Sequence, residues 1–211
     1  KNIYLGPDLG AIDVEKLHRE FPSLNIVKPK DLVGFIVSEL KESKVIGLAR
    51  GRMEFGPRAL CHRSIIYKTS DITANDWLNK RMNRTEFMPF APVMTMDQAH
   101  KAFDDFHADD ITLKFMTSTV NANNYFAKKC PAVNHIDNTA RPQVITLGED
   151  PFMHSLLSRW EEASGEIALV NTSFNAHEEP IVCSTRDVLK ALENKMVDVV
   201  VLEDLIVKSR S

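Results

Sequence analysis

Short apolar runs alternate along this chain with segments in which apolar residues recur every three or four positions. Leu32, Val33, Phe35, Ile36 and Leu40 fall on one helical face, and the apolar run 45–49 that follows predicts a buried strand. Residues 91–96 read as extended. Asp97 is then the expected cap of a helix carrying Ala99, Ala102, Phe103 and Phe106 on one side. Phe152, Leu156, Leu157 and Trp160 predict another amphipathic helix, closed near Gly165, before a strand at 167–170. Ser184 and Asp187 have the spacing of a capping box. Val188, Leu189 and Leu192 follow at helical spacing, and a last strand is expected at 197–202. Segments 112–120 and 144–147 read as strands with no helix joining them to their neighbours. The pattern implies an α/β fold, a twisted mixed sheet flanked by helices in a single domain.

Composition narrows the classes of function. At 211 residues and 44% hydrophobic content the chain has enough apolar surface for a real core. Lys and Arg number 26 against 29 Asp and Glu, so the net charge of −3 offers no general attraction to nucleic acid and leaves anion binding to local clusters. Cys61, Cys130 and Cys183 are odd in number, widely spaced and without a CxxC pair, which suggests neither a disulfide framework nor a zinc site. No apolar run approaches the roughly 18 residues of a membrane span, and no basic segment leads into an apolar core at the start. A cytoplasmic location without membrane partners is the expectation. The chain begins at Lys1 and reads as structured from Asn2 onward, as expected of a piece of a longer protein.

Three polar constellations carry the candidate chemistry. In Gly51-Arg-Met-Glu-Phe-Gly-Pro-Arg-Ala-Leu-Cys-His-Arg-Ser64, Arg52, Arg58 and Arg63 surround a Gly-Pro turn just after a strand, a common place for a ligand in α/β sheets. The guanidinium fork donates paired hydrogen bonds to phosphate oxygens at any relevant pH, and Ser64 adds a hydroxyl. The bland alternative is that these arginines pair with Glu54 and other surface acids. No GxxxxGK phosphate loop is present. In the second constellation, His135, Asp137, Thr139, Arg141 and Gln143 occupy alternate positions, so an extended segment would turn all five to one face and suit a cleft wall; Pro142 places it at an edge. His135 and Asp137 are also conceivable metal ligands, although a site needs more converging groups. The third constellation is Asn171-Thr-Ser-Phe-Asn175, followed by Glu178-Glu-Pro-Ile-Val182. Period-two geometry would put Asn171, Ser173 and Asn175 together to orient an anion or carbonyl, and the bland alternative is an Asn-rich turn bonding its own backbone.

Taken in order, GRMEFGPRAL with RSI, NRTEFMPFAPV, HIDNTARPQV, and NTSFN with EEPIV resemble the C-terminal half of NodU and CmcH type O-carbamoyltransferases. The resemblance implies that residues 1–211 form a YrdC-like domain that takes carbamoyl phosphate and ATP, with Mg, and forms carbamoyl adenylate with release of pyrophosphate. It also implies an upstream actin-like domain of the same protein, carrying a metal and passing the carbamoyl group to an acceptor hydroxyl compound. Arg58, Arg63 and Arg141 would be the anion-binding, catalytic arginines. Arg52, Ser64, Arg84, His135, Asp137, Thr139, Ser173 and Asn175 would line the substrate and nucleotide sites. Two departures stand out. Cys61-His62 replaces the family's usual Gly-Asn, and the second motif lacks its usual lysine, offering Asn83, Arg84 and Thr85. An RNA-binding YrdC-like module and a metal-dependent hydrolase centred on His135 and Asp137 are the alternatives; the negative net charge counts against the first.

Overall fold

The computed structural model describes residues 2–84 and 89–210. Its first elements are α1 (Val14–Glu20), β1 (Leu24–Val27), α2 (Leu32–Lys41), β2 (Ile46–Ala49) and β3 (Arg63–Lys68). Then come α3 (Ala74–Arg81), β4 (Ala91–Thr95), α4 (Met96–Ala102), β5 (Val120–Asn121), α5 (Asn124–Lys129), β6 (Thr139–Ala140) and β7 (Gln143–Ile145). The remainder is α6 (Pro151–Ser164), β8 (Leu169–Ser173), α7 (Thr185–Glu193), β9 (Val199–Leu202) and β10 (Leu205–Ser209). Contacts divide the chain into two compact units, one of residues 1–66 with 173–211 and the other of residues 67–172. Each is mixed α/β, the class the pattern predicts for the chain, although that pattern implies a single domain.

In the first unit the strand order is β1-β10-β9-β2-β3. β2 runs parallel to β9, with Ile46 opposite Val199, and antiparallel to β3, with Ala49 opposite Arg63. Every residue of β2 and β9 is buried, the burial expected of strands covered on both faces, and this is why both read as continuous apolar runs. The edge strand β1 alternates buried and exposed residues instead. α7 packs Val188, Leu189 and Leu192 inward. Its predicted capping box is present, with Ser184 Oγ accepting from Asp187 N at 3.3 Å and Asp187 accepting from Ser184 N at 2.9 Å. β1 and β10 were not evident from the sequence: the chain turns at Glu203-Asp204 and β10 pairs back along β9, whereas 197–202 reads as its final strand.

In the second unit the order is β8-β4-β7, with β4 antiparallel to β8 and parallel to β7. The α4 cap is Thr95, not Asp97: Thr95 Oγ1 accepts from Gln98 N, and Gln98 Oε1 accepts from Thr95 N at 2.9 Å. The helix therefore starts directly on the last strand residue. It also stops at Ala102, so Phe103 lies at the cap and Phe106 beyond it. The strand expected at 112–120 is instead a 3-10 turn at Ile111–Phe115. Asp110 accepts from Thr112 N at 2.8 Å and Met116 takes a left-handed conformation, local bonds that compete with a ladder. α6 runs as predicted and ends on Gly165 at φ +74°.

Candidate active site

The first motif is a loop from Arg50 to His62 between β2 and β3, organised by two buried charges. Glu54, 5% exposed, accepts with Oε1 from the backbone N–H groups of Leu60 (2.5 Å), His62 (2.8 Å) and Arg63 (3.2 Å). Arg63, wholly buried, does the complementary work on carbonyls. Its Nη1 donates to Arg50 O at 2.9 Å and His62 O at 3.1 Å, and Nη2 donates to Gly51 O at 3.2 Å. Burial pushes this guanidinium below the usual arginine value, and the Glu54 charge leads the opposing influences. The side chain read from sequence as facing an anion is thus turned into the protein. Ser64 is buried too, accepting from Cys61 N at 2.8 Å. Cys61 itself sits at φ +74°, a left-handed conformation in which glycine carries the least steric cost.

Arg52 is exposed but engaged: Nε donates to Gly6 O at 2.9 Å and Nη2 to Leu5 O at 2.7 Å. These bonds strap residues 3–7 along the loop, helped by Gly6 N to Met53 O and by Tyr4, whose ring stacks on His62 at 3.7 Å. The tip, Phe55-Gly-Pro-Arg58, is exposed throughout, so Arg58 is presented to solvent from a braced base.

Part of the fourth motif meets the first within the same unit. Phe174 N donates to Arg63 O at 3.1 Å, and Phe174 O accepts from Val182 N at 2.9 Å. β8 ends at Ser173, so the expected common face of Asn171, Ser173 and Asn175 does not extend to the last of them. Asn175 Nδ2 donates to Ala176 O at 3.0 Å and Glu179 O at 2.9 Å, closing its own turn.

The second unit holds the other residues. Arg84 is half-buried and Nη1 donates to Thr172 Oγ1 at 3.0 Å; burial pushes its guanidinium below the ordinary value. Residues 85–88 of the second motif, Thr85 included, lie outside the described residues. Asn171 Nδ2 donates to Gln143 Oε1 at 2.6 Å, both side chains buried. Thr172, which sequence reasoning missed, stands between two residues it did single out.

The third motif is extended only in part: Thr139–Ala140 and Gln143 lie in β6 and β7, whereas residues 135–138 form a turn. His135 N donates to Thr139 O at 2.8 Å, Asn138 N to His135 O at 2.9 Å, and Asn138 takes φ +60°. Asparagine tolerates that conformation, and the turn breaks the alternation. His135, Asp137 and Thr139 still come together, by closing on one another: Asp137 Oδ1 accepts from Thr139 Oγ1 at 2.7 Å, and His135 Nδ1 lies 3.1 Å from the same hydroxyl. Burial pushes the His135 imidazole down, Asp137 opposes this and the Arg141 charge adds to it. Beside this turn is a hollow of about 440 Å³ lined by Asn75, Pro89, Ala132, Asn134, His135 and Asp137. Among the described residues no group of three or more His, Cys, Asp or Glu side chains is placed to hold a metal ion, so His135 and Asp137 gain no third ligand. No helix among them is long and apolar enough to cross a membrane.

Comparison with known proteins agrees with the ordered motifs. A family model described as the carbamoyltransferase C-terminus matches residues 37–209. The nodulation protein NolO of Bradyrhizobium diazoefficiens is 30% identical over 99% of this chain and 38% of its own length. The 3'-hydroxymethylcephem-O-carbamoyltransferase of Amycolatopsis lactamdurans is 30% identical over 78% of this chain and 31% of its own. The chain thus spans well under half the length of these relatives. A structure of full-length HypF in a phosphate- and nucleotide-bound form shares the fold, with a TM-score of 0.59 at 21% identity, over 85% of this chain and 22% of that one. From the family match and the relatives together, the chain belongs to the carbamoyltransferase C-terminal family.

Proposed function

We propose that this chain is the carbamoyl-activating part of an O-carbamoyltransferase. Phosphate is cleaved from carbamoyl phosphate with one water, and an oxygen of the resulting carbamate displaces pyrophosphate from the α-phosphorus of ATP, leaving carbamoyl adenylate. An upstream domain of the same protein, in the cytoplasm, would then pass the carbamoyl group to an acceptor hydroxyl. The observation that carries this reading is Arg58, an exposed guanidinium at the tip of a braced loop inside the region matched by the family. A presented, permanently charged fork suits a phosphate dianion. In the second unit, Arg84 beside Thr172 is a partly desolvated cation where the family lysine is missing, and Arg141 is a further charged fork. Desolvation strengthens the attraction of such groups for charge that develops as a phosphate leaves. Ser173 and Asn175 would orient the carbamoyl and nucleotide groups, and His135, Asp137 and Thr139 would shape a wall through their closed turn. Arg63 and Ser64 support the loop from within.

The test is carbamoyl-phosphate-dependent exchange of labelled pyrophosphate into ATP by the full-length protein. Exchange is expected, and its absence from folded, Mg-supplied enzyme would overturn the reading.

A further inference from the structure

We infer that Glu54 is a positioning residue of the first motif, a carboxylate that fills the loop's own anion nest and so sets the position of Arg58. Three backbone N–H groups, from Leu60, His62 and Arg63, converge on one Glu54 oxygen. Such convergence is the arrangement with which backbone commonly holds a bound anion. Here the chain supplies the anion itself. The nest is therefore closed to a substrate phosphate, whose contacts must come from side chains at the tip.

Glu54 leaves its other oxygen, Oε2, buried without a hydrogen-bond partner, as Arg63 leaves Nε. A buried polar atom without a partner is costly, so the pair is not explained as a device that maximises stability. It is explained by what the two charges do to the backbone. One collects the N–H groups at the end of the loop, and the other collects the carbonyls of Arg50, Gly51 and His62 at both ends. Between these anchors the chain runs out to the exposed Phe55-Gly-Pro-Arg58, with Gly56 at φ +134°. An arginine on a pre-set loop gives up less freedom on binding than one on a loose loop.

The inference rests on the reading that Arg58 contacts carbamoyl phosphate, and the experiment keeps the two separable. In the full-length protein, Glu54→Ala, Glu54→Gln, Arg58→Ala and the Ala double variant are compared by KM and kcat in pyrophosphate exchange and by backbone amide hydrogen exchange. Glu54→Ala should raise KM for carbamoyl phosphate about tenfold, and the double variant should be no worse than Arg58→Ala alone, because residues acting through one another are non-additive. Amides 60, 62 and 63 should exchange at least about tenfold faster, as expected once a bond to a charged acceptor is lost. Glu54→Gln, which keeps an oxygen acceptor, should recover most of both effects. A lower kcat with unchanged KM is what mere loss of folded enzyme produces, and it would overturn the inference. Multiplying effects in the double variant, or amides that stay protected, would do the same. Faster amides with a KM indifferent to Arg58→Ala would overturn the link to Arg58 and uphold Glu54's hold on the loop. Should the alanine chain not fold, Glu54→Asp withdraws the carboxylate by one methylene; wild-type KM and exchange in that variant would overturn the inference equally.

Discussion

The ring of Phe174 packs against Gly47 so closely that a β-carbon at residue 47 would stand 2.5 Å from two ring carbons. The contact ties the fourth motif to the central strand β2. The same Phe174 N–H holds the carbonyl of Arg63, so one residue fixes the fourth motif both to the strand and to the first motif. Gly47→Ala should therefore destabilise the protein by about 1–3 kcal/mol, the usual cost of overpacking. Urea denaturation measures this. Combining Gly47→Ala with Phe174→Leu should cost less than the sum of the two single changes, because both alter one contact.

Glu166 plays the corresponding part in the second unit. Its buried carboxylate accepts from Thr69 N at 2.7 Å, Thr69 Oγ1 at 2.8 Å, Ser70 N at 3.0 Å and Ser70 Oγ at 2.8 Å. Glu166→Ala would leave the buried Thr69 N–H unanswered and should cost roughly 3 kcal/mol. Chemical denaturation checks the loss, and Glu166→Gln, retaining an acceptor, should lose less.

The thiols should differ in reactivity. Burial pushes Cys130 up to about 11, so at pH 7 to 9 it remains a protonated, inaccessible thiol, while Cys183 is half-exposed. Brief alkylation of the folded protein followed by peptide mass spectrometry should label Cys183 and spare Cys130 and Cys61. Labelling of all three would require denaturant.

Acid should loosen the start of α7. The Ser184 N–H is the leading cause that holds the Asp187 carboxyl below its ordinary value. A depressed carboxylate contributes stability that is complete above its unfolded-state pKa, about 4, and disappears as pH falls through the lowered folded value. The stability gap between the protein and Asp187→Asn should thus be present at pH 6 and shrink progressively as the pH falls below about 4, as thermal melts across that range would show. Ser184→Ala should cost about 1 kcal/mol at neutral pH.

Arg141 tests the substrate side. On the proposed function, Arg141→Ala should weaken carbamoyl phosphate binding by roughly 2–5 kcal/mol without unfolding the protein. Calorimetry on the full-length protein reads the affinity, and an unchanged value would remove Arg141 from the site.

Long helices and fully buried strands could be read in advance because their signals are local. α2, α6 and α7 each carry an apolar stripe with a cap or stop at an end, and β2 and β9 are apolar throughout. Local pattern and structure part where a side chain bonds its own neighbourhood. Thr95 took the cap of α4 from Asp97, and Asn138 folded the start of the third motif into a turn.

The order of the motifs and the family they mark are properties of residue identity, and they needed no coordinates. The partition among the arginines did. Arg52, Arg58 and Arg63 have the same charge and lie within twelve positions of one another, so nothing in their order along the chain separates them. Their surroundings do: carbonyls from Arg50, Gly51 and His62 enclose Arg63, Leu5 and Gly6 take Arg52, and Arg58 is left at the exposed tip. A guanidinium donates to whatever acceptors folding brings within reach, and those acceptors are settled by how the backbone closes around Glu54 rather than by the identity of the arginine.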